Sequence, residues 1–298
     1  MTLPSFLVLG AQKAGTTSIY DYLAQHPDIF MSPVKEPHFF TYLNVEAPRS
    51  SPEEHSRFYR PLQPIAQLED YERLFEGAGG RTIRGEASPS YIYGPAAPQN
   101  IRDIVPDAKL IVILRNPVDR AFSNYQMNRR SGQELLTTFE DAIAAEECRI
   151  AEGWGFAWHY LAKGRYAEQL RRYLGVFPAD QLKIMLFDDL IADPTSFMRD
   201  VYTFVGADSG FVPNVEHSSN VSGVPKNRAL SLVLRPAQLT HRWWSPFVPI
   251  AVRHRVRSAT LTRERMLSDT RSRLLAQFDA EITDLGRLIG RDLSSWRR

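Results

Sequence analysis

The stretch Phe6-Leu-Val-Leu-Gly10-Ala-Gln-Lys13-Ala-Gly15-Thr16-Thr17-Ser18 decides the fold. Its first four residues form an unbroken apolar run closed by Gly10, which predicts a short strand buried on both faces. A Gly/Lys/Thr turn follows, then an apolar period at Ile19, Tyr20 and Leu23 that closes at His26-Pro27. The order is strand, loop, helix. Lys109-Leu-Ile-Val-Ile-Leu114 repeats it, ending in Arg115-Asn-Pro117 and entering a helix that runs to about Tyr125. Leu182-Lys-Ile-Met-Leu-Phe187 predicts a third strand, preceded by a helix over 165–174 and followed by Asp188-Asp-Leu. Residues 81–84 give a weaker fourth strand, and 139–152, 195–205 and 270–288 read as helices. Continuous apolar strands alternating with helices predict a mostly parallel central sheet covered on both faces, an α/β fold of three layers. Without an internal repeat or a low-complexity linker, 1–298 reads as one domain.

The first loop sits where such a fold binds ligands, and the helix behind it offers free N–H groups to an anion. Its spacing, Gly10-x4-Gly15-x-Thr17, matches the nucleotide-triphosphate P-loop. Thr16, however, stands where that motif carries lysine, and the lysine lies upstream at Lys13. A plain strand-to-helix turn is the competing interpretation. At the second strand end, Arg115 emerges from the strand and Ser123 lies on the helix after it, a guanidinium and a hydroxyl suited to a phosphate. Two anion sites at two strand ends predict one ligand with two separated anionic groups.

Composition sets outer limits. Of 298 residues, 43% are hydrophobic and 23% charged, an ordinary globular balance. No run of about 18 apolar residues predicts a spanning helix, and the N-terminal stretch lacks the pattern of a secretory signal. Cys148 is the single cysteine, which excludes an intrachain disulfide and a cysteine zinc site. The expected setting is the cytoplasm. The seven histidines fall in no metal-binding spacing. Asp188-Asp189 could suggest a magnesium carboxylate, but a helix cap is the better interpretation.

The net charge of +2 hides an asymmetry: residues 226–273 carry +9 and the rest −7. Within it, about 230–265 is an insertion that sets Trp243, Trp244, Phe247 and Val248 among Arg242, Arg253, Arg255 and Arg257. That mixture suits peripheral contact with the inner face of a membrane, an anionic acceptor, or simply a cover over the core. Prolines at 236, 246 and 249 argue against one long amphipathic helix. Nucleic acid is not expected, because no reader motif accompanies the charge.

The pair LGAQKAGTTSIYDYL and LIVILRNPVDRAFSNY resembles the signature of sulfotransferases that use 3′-phosphoadenosine 5′-phosphosulfate (PAPS), in a bacterial branch similar to the heparan-type carbohydrate enzymes. The resemblance continues through Lys35-Glu36-Pro-His38-Phe-Phe40, Gly85-Glu86-Ala-Ser88-Pro-Ser-Tyr91, Gly164-Arg-Tyr166-Ala-Glu-Gln169 and Gly290-Arg-Asp-Leu-Ser-Ser-Trp296. It implies a P-loop-like fold, PAPS as co-substrate, no metal, and transfer to a hydroxyl of a small molecule, glycan or glycolipid. Lys13 would face the sulfuryl and leaving-group oxygens. Ala14, Gly15, Thr16, Thr17 and Ser18 would cradle the 5′-phosphate, and Arg115 and Ser123 would hold the 3′-phosphate. The resembling segment supplies a glutamate base, which falls on Glu36, with His38 the other candidate. Glu86, Ser88, Tyr91 and Tyr166 are candidate acceptor-site residues, with packing roles as the alternative. Lys226 and Arg228 would close over the nucleotide, although the Lys-Gly-Arg tripeptide of the animal enzymes is absent from that loop. Ala87, where those enzymes typically carry lysine, is a second departure. Rival classes are a P-loop kinase or NTPase and a non-enzymatic membrane-surface protein.

Overall fold

The computed structural model describes residues 2–43, 64–215, 224–225, 261–262 and 265–298. Five strands form the central sheet: β1 (Phe6–Gly10), β2 (Ile29–Met31), β3 (Ile83–Ala87), β4 (Lys109–Leu114) and β5 (Leu182–Leu186). Their order is β2-β3-β1-β4-β5, and every pair is parallel. The three strands expected from apolar runs lie side by side as β1, β4 and β5. β1 is buried at all five positions, as a strand covered on both faces must be.

β1 has β3 on one side and β4 on the other, so the chain order reverses there. Loops leaving neighbouring strands at such a reversal turn to opposite faces and open a crevice between them. The two anion loops found in the sequence are the exits of β1 and β4. They lead into α1 (Thr16–Leu23) and α5 (Pro117–Ser131). Gly85 in β3 is fixed by packing, because a Cβ there would lie 2.1 Å from the Phe6 ring.

The remaining helices are α2 (Phe39–Tyr42), α3 (Leu68–Arg73), α4 (Ala97–Ile104), α6 (Phe139–Ala144), α7 (Glu146–Ala151), α8 (Tyr166–Leu174), α9 (Phe187–Ala192), α10 (Pro194–Val205) and α11 (Ser268–Ile289). The helix expected over 139–152 is thus two. The break at Ala145 lets Glu146 turn inward, where it accepts from the amides of Leu161 (2.7 Å) and Ala162 (2.8 Å). Asp188 and Asp189 do not cap α9. They sit in its first turn, where Asp188 accepts from the Trp296 indole (2.5 Å) and Asp189 pairs with Arg291 (3.0 Å), so they tie down the C-terminal residues.

A short antiparallel pair, β6 (Val224–Pro225) with β7 (Leu261–Thr262), brings the two ends of the basic segment together. Lys226, Arg228 and nearly all of 230–265 lie outside the described residues. Among the described residues no helix is long and apolar enough to cross a membrane.

Candidate active site

The β1 exit loop is shaped by its glycine. Gly15 adopts φ +92°, and a Cβ there would press on Leu190 and Phe187 at 2.9–3.0 Å. That turn lets the chain enter α1 abruptly. The first helical bond runs from Ile19 N to the Gly15 carbonyl at 3.1 Å, so the amides of Thr16, Thr17 and Ser18 stand ahead of the helical ladder. Ala14 contributes differently from expectation: its amide already donates to the Ala11 carbonyl at 3.1 Å, so it shapes the loop rather than facing an anion.

The β4 exit is set by Asn116, whose side chain accepts from Val118 N (2.9 Å) and Asp119 N (3.2 Å) and caps α5, with Pro117 opening the helix. Arg115, just before the cap, donates to the Lys13 carbonyl at 3.1 Å and lies over the Phe187 ring at 4.9 Å. Lys13, Gly15, Thr16, Thr17, Ser18, Arg115 and Ser123 all line one cleft of about 520 Å³, with Phe187, Leu190 and Ile191 forming an apolar wall. The two loops therefore share one cavity. Burial, together with Arg130 and Arg115, lowers the Lys13 ammonium to about 8.

Lys13, Glu36 and His38 are the three non-glycine residues with positive φ among the described residues, at 70°, 59° and 57°. Such conformations cost energy and concentrate where a side chain must be aimed. Glu36 is anchored through its amide to the Ala87 carbonyl (3.2 Å) at the end of β3. Its carboxylate lies 3.4 Å from Lys35 Nζ and 3.8 Å from His38 Nε2. Lys35 in turn donates to Thr17 Oγ1 at 2.6 Å, which links the base candidate to the first loop. The other nitrogen of His38, Nδ1, pairs with Ser90 Oγ at 2.7 Å, and burial lowers the imidazolium pKa against the pull of Glu36.

A second, smaller cavity of about 180 Å³ adjoins the cleft. It is lined by Tyr42, Tyr93, Phe156, Trp158, His38, Ser90, Asn128 and Lys163 among others. Gln12, Glu36, Pro89 and Met127 line both spaces. Glu36 thus stands at the junction.

The four residues expected at the acceptor site lie behind it. Glu86, Ser88, Tyr91 and Tyr166 are each fully buried and line neither cavity. Ser88 Oγ donates to Glu86 Oε2 (2.9 Å) and accepts from the His38 amide (3.1 Å); Tyr71 donates to Glu86 Oε1 (3.2 Å). This cluster holds the turn that aims Glu36 and His38. Glu86 also has a raised pKa: burial, offset by hydrogen bonds from Tyr91, Ser88 and Tyr71, brings its carboxyl to about 7. Tyr166 donates to the Arg115 carbonyl at 2.9 Å and so braces the second loop.

Sequence patterns did not single out Gln12 or Lys163. Lys163, buried, donates to Gln12 Oε1 (2.5 Å) and Asn124 Oδ1 (2.7 Å), holding Gln12 where the two cavities meet. Its position just before Gly164-Arg-Tyr166 was the available signal. Among the described residues no group of His, Cys, Asp or Glu is arranged to hold a metal ion.

A sequence model of the sulfotransferase family matches residues 4–210, which include both loops, Glu36 and the Glu86 cluster. The chain belongs to the sulfotransferase family. Human bifunctional heparan sulfate N-deacetylase/N-sulfotransferase 3 is 33% identical over 208 residues, covering 68% of this chain and 22% of that protein. Mouse heparan sulfate glucosamine 3-O-sulfotransferase 3A1 is 31% identical over 204 residues, covering 68% of the chain and 46% of that protein. The chain therefore spans less than half the length of these curated relatives. A solved sulfotransferase from Alicyclobacillus acidocaldarius covers both chains in full at 35% identity and a TM-score of 0.77. This sulfotransferase thus shares its parallel sheet and flanking helices with an experimentally determined family member.

Proposed function

We propose that the chain transfers a sulfuryl group from PAPS to an acceptor hydroxyl, of a carbohydrate or glycolipid. One observation carries this: the cleft that joins the two anion loops opens onto a second cavity at Glu36. A donor in the cleft and a hydroxyl in the second cavity would meet there.

The cleft's residues fit PAPS. Arg115 and Ser123 suit the 3′-phosphate, while the amides at the start of α1 and the hydroxyls of Thr16 and Thr17 suit the 5′ end. Lys13 supplies positive charge to the sulfuryl and bridging oxygens. In the transfer, the acceptor oxygen forms a bond to sulfur as the bond from sulfur to the 5′-phosphate oxygen breaks. Glu36 takes the hydroxyl proton, and 3′-phosphoadenosine 5′-phosphate (PAP) leaves with the electron pair. As in phosphoryl transfer, positioning and charge stabilisation do most of the work. His38, held by Ser90 and beside Glu36, orients the carboxylate. A cytoplasmic setting, with peripheral membrane contact through 230–265, belongs to the same proposal.

The test is incubation of the full chain with sulfur-35 PAPS and a panel of glycans, glycolipids and simple glycosides. Label transferred to a hydroxyl supports the proposal. Label that never leaves the nucleotide, across the panel, with PAP shown to bind, contradicts it.

A further inference from the structure

The geometry points to selection of an uncharged sugar ring by the smaller cavity, with anionic rings turned away; this rests on the sulfotransferase reading above. Its size admits one ring. A cavity of about 150 Å³ accommodates benzene, and this one is about 180 Å³.

The walls are aromatic and held in place. Tyr93 meets Phe156 edge-on, with centroids 4.8 Å apart and planes at 87°, and Tyr42 lies stacked on Phe156 at 6.1 Å and 25°. His159 Nε2 lies 3.1 Å from the Trp154 carbonyl, which accepts its proton and leaves Nδ1 to accept from the Tyr93 hydroxyl at 2.8 Å. Rings fixed this way present flat apolar surface, which suits the C–H face of a sugar.

The polar groups ask for a hydroxyl. Asn128 is fully buried and lines the cavity. Its Nδ2 donates to the Ala157 carbonyl (2.7 Å) and to Tyr160 Oη (3.1 Å), which fixes the orientation of the amide. Its Oδ1 has no hydrogen-bond partner among the described residues. That oxygen is closed to solvent, so an O–H donor in the cavity would pair with it only once the amide turns outward, and a carboxylate offers it no proton.

Charge gives the same preference. Among the described residues Lys163 is the one lysine or arginine lining the cavity; burial disfavours its charge, and its amino group is engaged by Gln12 and Asn124. Glu36 stands at the mouth. A carboxylate or sulfate brought inside would lose its water, face another carboxylate and find no unengaged cation among the described residues, and an unpaired buried charge is strongly disfavoured. The curated relatives are named for heparan sulfate, a sulfated polymer; this cavity is built for a different acceptor.

Saturation-transfer NMR on the PAP-loaded full chain tests it with three probes: methyl β-D-glucopyranoside, methyl β-D-glucopyranosiduronate, and the methyl ester of the latter. The ester is neutral but lacks the sixth hydroxyl, so it separates charge from hydroxyl count. Both neutral probes should bind at least tenfold more tightly than the uronate. Phe156→Ala should weaken both at least fivefold while calorimetric PAP affinity stays within twofold. A uronate that binds as tightly as the ester overturns the inference, and so does absence of binding by both neutral probes with PAP in place. Failure to bind PAP at all overturns the donor assignment instead, and this inference with it.

Discussion

Arg115 donates to the backbone carbonyl of Lys13 at 3.1 Å. The two residues lie more than a hundred positions apart, yet this bond joins the exit loops of two adjacent strands. It leaves the rest of the guanidinium facing the cleft that both loops line. The bond thereby fixes the spacing between the places where two phosphates would sit. A nucleotide with anionic groups at its 3′ and 5′ ends is the ligand proposed for these two loops.

Glu36 is where proton transfer is expected. Glu36→Gln keeps the shape and cannot accept a proton, so PAP affinity should hold while the transfer rate falls by on the order of 10²–10⁴-fold. His38→Ala should do less damage, because its role is to orient. Single-turnover transfer beside calorimetric PAP titration measures both. Near-normal turnover by Glu36→Gln, with a folded and PAP-competent His38→Ala inactive, would move the base to His38.

Lys13 predicts a pH dependence of donor binding. Its ammonium sits at about 8 in the free protein, and a bound anion favours the protonated form. PAP affinity should therefore weaken as pH rises above about 8, with proton uptake on binding. Titration at pH 8.5 in buffers of different ionisation enthalpy reads that uptake directly. Lys13→Met should abolish it; unchanged uptake in the variant would assign the proton elsewhere.

Glu86 predicts a pH dependence of stability. Its carboxyl is raised from 4.5 to about 7, chiefly by burial. A folded-state pKa above the unfolded value means the folded protein holds the proton more tightly. The stability this contributes is complete below about 4.5 and is lost as pH rises through about 7. Denaturant unfolding of the native chain should show that loss, on the order of 3 kcal/mol at most, and Glu86→Gln should flatten the profile. Parallel profiles for the two proteins would contradict it.

Much of this was legible in the sequence, for a physical reason. β1 and β4 are buried on both faces, and their apolar runs cannot be mistaken for surface; β5, at the sheet edge and half-buried at Lys183 and Ile184, still shows an apolar run broken once by lysine. β2 has three residues and too little length to show a period. The anion loops announced themselves because glycine, lysine, arginine and hydroxyls cluster where strands end. Glu86, Ser88, Tyr91 and Tyr166 lie one layer behind the two cavities, and the sequence leaves acceptor and packing roles equally open because a motif names residues near a site without saying which face it. Whether Glu86 meets an acceptor or supports a turn depends on its neighbours Tyr71 and Ser88, and the Tyr71 contact, made from α3, has no signature in the motif. Gln12 and Lys163 escaped notice for the same reason, because their pairing spans the chain.

The most direct test is calorimetric titration of two ligands into the native chain and into Arg115→Ala: PAP, and adenosine 5′-phosphosulfate, which lacks the 3′-phosphate. Losing a charged hydrogen bond costs roughly 1.5–3 kcal/mol. Arg115→Ala should therefore weaken PAP by roughly 10- to 100-fold and adenosine 5′-phosphosulfate far less, since only the lost bond to the Lys13 carbonyl is common to both. Equal weakening of both ligands, or no effect on PAP, would show that Arg115 does not hold a 3′-phosphate and that the two loops do not share one nucleotide.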